Sequence, residues 1–473
     1  MSPTFLVLYI IITVFAIVSI VLYGSQPSKS LGWLLIIIGL PFAGVLLYVM
    51  FGINRREFKI FTLKDAQKRK LYDQTHHHKN SKHKDSFFTS KIAAKIATMV
   101  TNSAGYIPYE GNEVTILSDG KQTFDKIFEA LEKAEEFIHV QYYIIDEGEL
   151  WDKFVAIFER KLAQGVEIRI IYDAIGSLNL KRSTVKRLRK MGIKMYALSP
   201  LQFGSILFTL NYRNHRKILI IDGHTGFTGG VNISDKYIKS HSKLGVWDDE
   251  HLCLQGPVVN SLHKIFIKDY FFASEQKDLS TERYLKDIPK QGDKIVQIVS
   301  SGPDSKNSSI MQHYMALINL AEHHILIANP YFIPSRPVLE SIKMAALSGV
   351  KVHILVPKYS DSKLAKNSMF SYFTEMLSVG VQIHLSEEFL HSKLIAIDNE
   401  IVSVGSGNFD HRSFEQNFEA NALIYNAEIS KKISDEFLSD CKASTLLTLE
   451  EHKNRPLYDK FVEGLARLFS PLL

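Results

Sequence analysis

Gly165-Val-Glu-Ile-Arg-Ile-Ile-Tyr-Asp173 and Gly349-Val-Lys-Val-His-Ile-Leu-Val356 decide the fold. Each is a β-branched run opened by glycine, the pattern of a buried strand. A helical stretch precedes each one, Asp152 to Gln164 in the first case and a helix ending over Ser341 to Ser348 in the second. Further upstream lie two more strands, Phe137 to Ile145 (after a helical stretch from Thr123 to Glu136) and His324 to Ile333. Downstream, Gly192-Ile-Lys-Met-Tyr196, which follows the basic helix Lys181 to Met191, matches Gly380-Val-Gln-Ile-His384. Gln141 and Asn329 are 188 positions apart, and so are Gly192 and Gly380. Strands alternating with helices predict an α/β fold with largely parallel sheet, and the shared offset predicts a duplicated domain.

Each copy carries one polar constellation. The first is His215-Arg-Lys217, four apolar residues, Asp222, then Gly229-Gly230-Val-Asn232. The second is His391-Ser-Lys393, four apolar residues, Asp398, then Gly405-Ser406-Gly-Asn408. The spacing is the same residue for residue. His and Lys two apart on a strand share a face. A glycine pair lets backbone approach a ligand, and Lys with Asn suits phosphoryl oxygens. Imidazole can act as nucleophile or general acid. Asp222 and Asp398 belong to the motif as candidate catalytic residues, although their place at the strand end fits a turn-fixing role better.

The chain has 473 residues, 46% hydrophobic and 22% charged, with two cysteines, Cys253 and Cys441. That excludes a disulfide-rich scaffold and a Cys-rich zinc fold. The pair is expected as reduced thiols, with a single bridge as the alternative. The net charge of +6 is unevenly spread. Residues 54–100 hold twelve Lys/Arg against four Asp/Glu, Lys29 adds one positive charge, and the other 373 residues sum to −3. A body of that sign is poorly suited to nucleic acid. The basic stretch suits anionic headgroups of an inner leaflet. His76-His-His78 and His83 lie within it and read either as a solvated loop or as a metal-binding tract.

Thr4 to Tyr23 and Leu31 to Phe51 are apolar runs separated by Gly24 to Ser30. Each is long enough to cross a bilayer, which predicts a transmembrane helical hairpin. A cleaved signal peptide is the alternative for the first run, but no basic segment precedes it. The positive-inside rule places Arg55 and Arg56 in the cytoplasm. Under the hairpin reading both termini and the large body are then cytoplasmic, in a multi-pass plasma-membrane protein. The expected division is a hairpin (1–53), a basic linker (54–110), two α/β domains (111–290 and 291–448) and an amphipathic tail (449–473). The tail reads either as an interfacial helix or as one packed on the body.

The paired motifs resemble the phospholipase D superfamily over roughly residues 110–448. That resemblance implies two phospholipase D-like domains packed as a pseudo-dimer around one shared site, a phosphohistidine intermediate, and no required metal or cofactor. It implies His215 as nucleophile, His391 as general acid, and Lys217, Lys393, Asn232 and Asn408 as phosphate ligands. It also implies one carboxylate after each motif to orient an imidazole. Asp249, with Asp248 as competitor, and Glu419 are the candidates.

The second apolar run through Arg56, Asn211 to Lys217, Gly229 to Ile233, Asn408 to Ser413, Asn417-Phe-Glu419 and Arg467 to Leu473 look like those of bacterial cardiolipin synthases. The His-rich stretch is not part of that likeness. The implied reaction is phosphatidyl transfer between two phosphatidylglycerol molecules, giving cardiolipin and glycerol. A phosphodiesterase or nuclease with the same motifs, and a non-catalytic membrane scaffold, are the rival readings. A homo-oligomer is left open.

Overall fold

The computed structural model describes residues 3–24, 27–53, 88–198, 211–240, 244–274, 279 and 281–473. The body is α/β, built on a sheet of fifteen described strands. In chain order these are β1 (Tyr109–Leu117), β2 (Phe137–Tyr142), β3 (Glu167–Asp173), β4 (Lys194–Leu198), β5 (Ile218–Ile221), β6 (Thr225–Gly229) and β7 (His251–Gln255) in the first half. The second half supplies β8 (Lys294–Ser301), β9 (His324–Ala328), β10 (Lys351–Pro357), β11 (Gln382–Ser386), β12 (Leu394–Ile397), β13 (Ile401–Gly405), β14 (Glu419–Tyr425) and β15 (Thr445–Leu447).

From one edge the order is β4-β3-β2-β5-β6-β7-β1, and it continues through β8-β14-β13-β12-β9-β10-β11-β15. Apart from β15, the second half repeats the first in mirror order about the antiparallel β1–β8 pair. β2-β3-β4 and β9-β10-β11 are the parallel triplets, as the repeated strands predict. β5 and β12 are wholly buried strands, so the four apolar residues of each motif fix it in the core.

Residues 91–104 fall inside the stretch expected as linker but form a helix. Ala93, Ile96, Ala97 and Val100 make a buried stripe that packs on Val299, Ile310 and Tyr314 of the second half. Ser90 caps its start and Gly105, at φ 80°, ends it. Cys253 and Cys441 are free and buried. The His76–His83 cluster and most of the basic stretch lie outside the described residues.

The first apolar run is helix α1 (Pro3–Tyr23), the one described helix long and apolar enough to cross a membrane. The second run is not the single span expected of it. It breaks into α2 (Pro27–Gly39), a turn at Leu40–Phe42, and α3 (Ala43–Leu47), which continues as a π-helical turn from Tyr48 to Gly52. Pro41 has no amide hydrogen to continue the helix, and Phe42 takes φ 67°. The chain then folds back on itself. A Cβ on Gly44 would run into the backbone of Ile36 and Ile37, and one on Gly52 into Trp33 and Tyr48. Antiparallel contact this close needs those glycines.

Candidate active site

Each motif leads into its strand through a loop pinned to the other half. His215 N donates to Phe418 O at 2.9 Å, and Phe418 N donates to Arg213 O at 2.9 Å. The counterpart is His391 N to Asp248 O at 2.6 Å and Asp248 N to Phe389 O at 3.2 Å. Arg216 adds a cross-tie, donating to Asp269 at 2.7 Å and to Ser300 Oγ at 2.7 Å.

The side chains follow the same exchange. His215 Nδ1 is 3.1 Å from Glu419 Oε2 and 3.0 Å from Ser406 O. His391 Nδ1 is 2.5 Å from Asp249 Oδ2. Asp249, not Asp248, is thus the carboxylate on the imidazole. With Nδ1 of each ring engaged, Nε2 is left for chemistry. Glu419 also accepts from Ser406 Oγ at 2.5 Å, Ser413 Oγ at 2.9 Å and Asn417 Nδ2 at 3.3 Å. Asp249 lies against Gly230, where a Cβ would run into its Oδ1. The Gly/Ser difference between the motifs therefore has a local reason: Ser406 donates to Glu419, and Gly230 makes room for Asp249.

Both lysines are fully buried. Lys217 Nζ donates to His215 O at 2.7 Å, and Lys393 Nζ lies 3.2 Å from Asp249 Oδ2 and 2.7 Å from His391 Nδ1. Burial, then the charge of Lys393, pushes Lys217 down to about 7. Burial also lowers Lys393. His215 is lowered by burial against the pull of Glu419, and His391 falls well below the usual imidazole range through burial, Lys393 and Lys217. Burial raises Asp249 to about 6. It acts on Glu419 the same way, but His215, Lys217 and Ser406 outweigh it and the net shift is downward. The two motifs thus feel each other's charges in a buried site.

Asn232 is buried, with Nδ2 on Tyr237 OH at 3.2 Å and Oδ1 accepting from Ile144 N at 3.1 Å. Asn408 is buried, and its backbone amide donates to Ser413 Oγ at 3.1 Å. Asp222 and Asp398 do not join the imidazoles and instead accept backbone amides, as their place at the strand end suggests. Asp222 accepts from the amides of Glu135, Glu136 and Phe137, each at 2.8 Å. Asp398 does the same for Glu322, His323 and His324 at 2.7–2.8 Å. Both sit at φ 52°, where each ends its motif strand and holds the start of β2 or β9.

Sequence reasoning missed Tyr143 and Tyr237. The Tyr143 ring is 4.8 Å from that of His215, with Lys217 Nζ 5.4 Å from its centroid. Tyr237 OH is 3.3 Å from His391 Nδ1. No spacing signal marks either residue. Among the described residues no group of three or more His, Cys, Asp or Glu is arranged to hold a metal ion.

Each buried imidazole thus lies on a carboxylate of the opposite half of the duplicated α/β sheet. The structure of a phosphatidylserine synthase from Haemophilus influenzae has this fold, with a TM-score of 0.61 at 15% identity, covering 81% of this chain and 100% of that one. The family model for the cardiolipin synthase, PLD-like domain matches residues 127–270 and 314–441. The phospholipase D-nuclease N-terminal model matches residues 11–52. A cardiolipin synthase of Geobacillus sp. (strain WCH70) is 37% identical over 97% of this chain and 92% of its own length. One from Listeria monocytogenes is 37% identical over 99% and 98%. The chain belongs to the cardiolipin synthase family.

Proposed function

We propose that this chain is a phosphatidyltransferase that makes cardiolipin and glycerol from two phosphatidylglycerol molecules, in one site shared by residues 111–290 and 291–448 acting as a pseudo-dimer. The observation that carries this reading is the reciprocal pairing of His215 with Glu419 and of His391 with Asp249. His215 Nε2 attacks phosphorus of the first lipid. The bond from phosphorus to the glycerol oxygen breaks, and His391 gives that oxygen a proton. The terminal hydroxyl of a second phosphatidylglycerol then attacks the phosphatidyl-His215 adduct, His391 takes its proton, and the P–N bond breaks. Each step is reversible, and two easier displacements replace one.

Lys217, Lys393, Asn232 and Asn408 hold the phosphoryl oxygens, a fixed electrostatic cradle in a site from which water is excluded. The anionic phosphodiester opposes the effect of the two lysines and favours the imidazolium His391 needs as an acid. No metal enters the scheme. The membrane is the plasma membrane, with the catalytic body on its cytoplasmic face, supported by the +8 of residues 54–100.

The test is purified protein in phosphatidylglycerol–detergent micelles. Cardiolipin and glycerol in equal amounts are the expected products, whereas phosphatidic acid would make it a phospholipase. An unchanged yield from His215→Ala would remove the nucleophile assignment, and an adduct trapped on His391 would reverse the two roles.

A further inference from the structure

Residues 27–53 have geometry that a pair of spans does not explain. α2 is 13 residues long and the return from Ala43 to Gly52 is 10. At ~1.5 Å per residue these reach ~20 and ~15 Å, short of the ~30 Å hydrocarbon core. α1, with 21 residues, reaches ~31 Å. The turn lies deep along α1, with the Phe42 ring 4.1 Å from Tyr9 and 5.9 Å from Phe5. The return leg comes back toward the other end of α1, where Tyr48 OH donates to Ser19 Oγ at 2.9 Å.

Both ends of the segment meet the catalytic body on one patch. Lys29 Nζ pairs with Glu415 Oε2 at 3.0 Å, and Tyr212 OH donates to Ile53 O at 3.4 Å. Arg412 joins the two contacts, with Nη1 on Asn211 Oδ1 at 2.9 Å, three residues before Glu415. The chain's last residue also ends there, with Arg412 N donating to Leu473 O at 3.0 Å. The helix Leu457–Leu468 that leads to it buries Glu463 and Ala466 and exposes Leu457, Tyr458, Phe461, Leu465 and Leu468.

We propose that residues 27–53 are a re-entrant hairpin, which enters and leaves the lipid from the side of the catalytic body, while α1 crosses the bilayer and puts the N-terminus on the opposite face. This rests on the membrane placement proposed above. Leu31, Leu35, Ile38, Leu40 and Leu46 are exposed and apolar, and they face acyl chains. The helix Leu457–Leu468 lies on the leaflet beside the catalytic body with its apolar side down. The non-helical turn at Leu40–Phe42 is tolerated at depth because its backbone groups stay paired: Ala43 N donates to Pro41 O at 2.8 Å, Gly44 N to Leu40 O at 2.6 Å and Leu46 N to Phe42 O at 3.0 Å.

Charge supports the arrangement. In a two-span hairpin, Lys29 would sit across the bilayer from Arg55, Arg56 and Glu415. In the re-entrant form every Lys and Arg of the chain lies on one side. The patch made by Asn211, Tyr212 and Arg412 borders the loop from Arg213 to His215, so that loop lies on the side facing the membrane.

The test uses the full-length chain in its native membrane, with an impermeant maleimide applied to spheroplasts and to inverted vesicles. Its own Cys253 and Cys441 are buried and give the background. Pro3→Cys is expected to label only in spheroplasts, and Pro27→Cys only in inverted vesicles, together with the control Lys91→Cys. Labelling of Pro27→Cys in spheroplasts would restore two spans and overturn the proposal. Labelling of Pro3→Cys in inverted vesicles alone would overturn the crossing of α1. A second variant, Lys29→Cys/Glu415→Cys, is expected to be joined internally by a membrane-permeant bis-maleimide whose spacer matches the reach of the Lys29–Glu415 pair. Failure to cross-link while each single cysteine is modified by a permeant maleimide would also overturn it. Cardiolipin synthesis assayed on the same membranes tests the catalytic reading separately, since labelling reads topology whether or not product forms.

Discussion

His215 and Glu419 are 204 residues apart in the chain, yet Nδ1 of the first lies 3.1 Å from Oε2 of the second. The pair couples the halves at the His215 imidazole. Glu419 also holds Ser406, Ser413 and Asn417, so its charge is fixed before substrate arrives.

Glu419→Gln keeps the size of the side chain and loses the charge that sets the His215 tautomer. Removing the equivalent carboxylate from a Ser-His-Asp triad costs about 10⁴ in kcat, so a loss on the order of 10²–10⁴ is expected here. Ser406→Ala removes one of several donors to Glu419 and should cost about tenfold or less. Rates of cardiolipin formation at saturating phosphatidylglycerol check both. Equal losses in the two variants would contradict the order.

Gly230→Ala puts a methyl group against Asp249. The carboxylate must move off His391, and kcat should fall at least tenfold with little change in the folded fraction. The same substitution at Gly245, which has no neighbour for a Cβ but sits at φ 77°, should affect stability rather than rate.

Lys217→Met should abolish transfer and raise the melting temperature. A buried lysine at about 7 is a charge the fold holds at a cost, and an apolar replacement stabilises such sites by the order of 1–4 kcal/mol. The gain depends on pH. Between about 7 and the ordinary lysine value near 10.5, the unfolded chain binds the proton and the folded one does not, so wild-type stability rises with pH. The difference in melting temperature between variant and wild type should therefore be largest at or below pH 7 and shrink toward pH 10. A constant difference would contradict the burial of this charge.

Asp222→Ala should act on folding and not on chemistry. It leaves the amides of Glu135, Glu136 and Phe137 without their acceptor, a loss on the order of 2–4 kcal/mol. The melting temperature should fall by several degrees while the rate per folded molecule is kept. Asp398→Ala should behave alike, because its three amides are equivalent.

Local periodicity made much of the body legible. The apolar run after each His-x-Lys reads as a buried strand, and the strand from Gly165 and its counterpart from Gly349 are β3 and β10, each flanked by two parallel partners. The constellation itself was legible because it occurs twice. Tyr143 and Tyr237 were not, since an aromatic residue near a strand end has the same local pattern whether it packs in a core or lines a site. The second apolar run was misread for a related reason. Hydropathy counts length and ignores the fold-back that Pro41 starts and that Gly44 and Gly52 permit.

The sequence by itself determined the duplicated α/β architecture, the two His-Lys motifs and the charge gradient toward the membrane, because each rests on residues close together in the chain. Only the tertiary structure decided that Asp249 rather than Asp248 holds His391, that Asp222 and Asp398 bind backbone, and that Lys29 and Ile53 return to one patch. Those outcomes depend on contacts between residues tens to hundreds of positions apart, which the packing of the two halves and of the apolar hairpin creates and which no local pattern encodes.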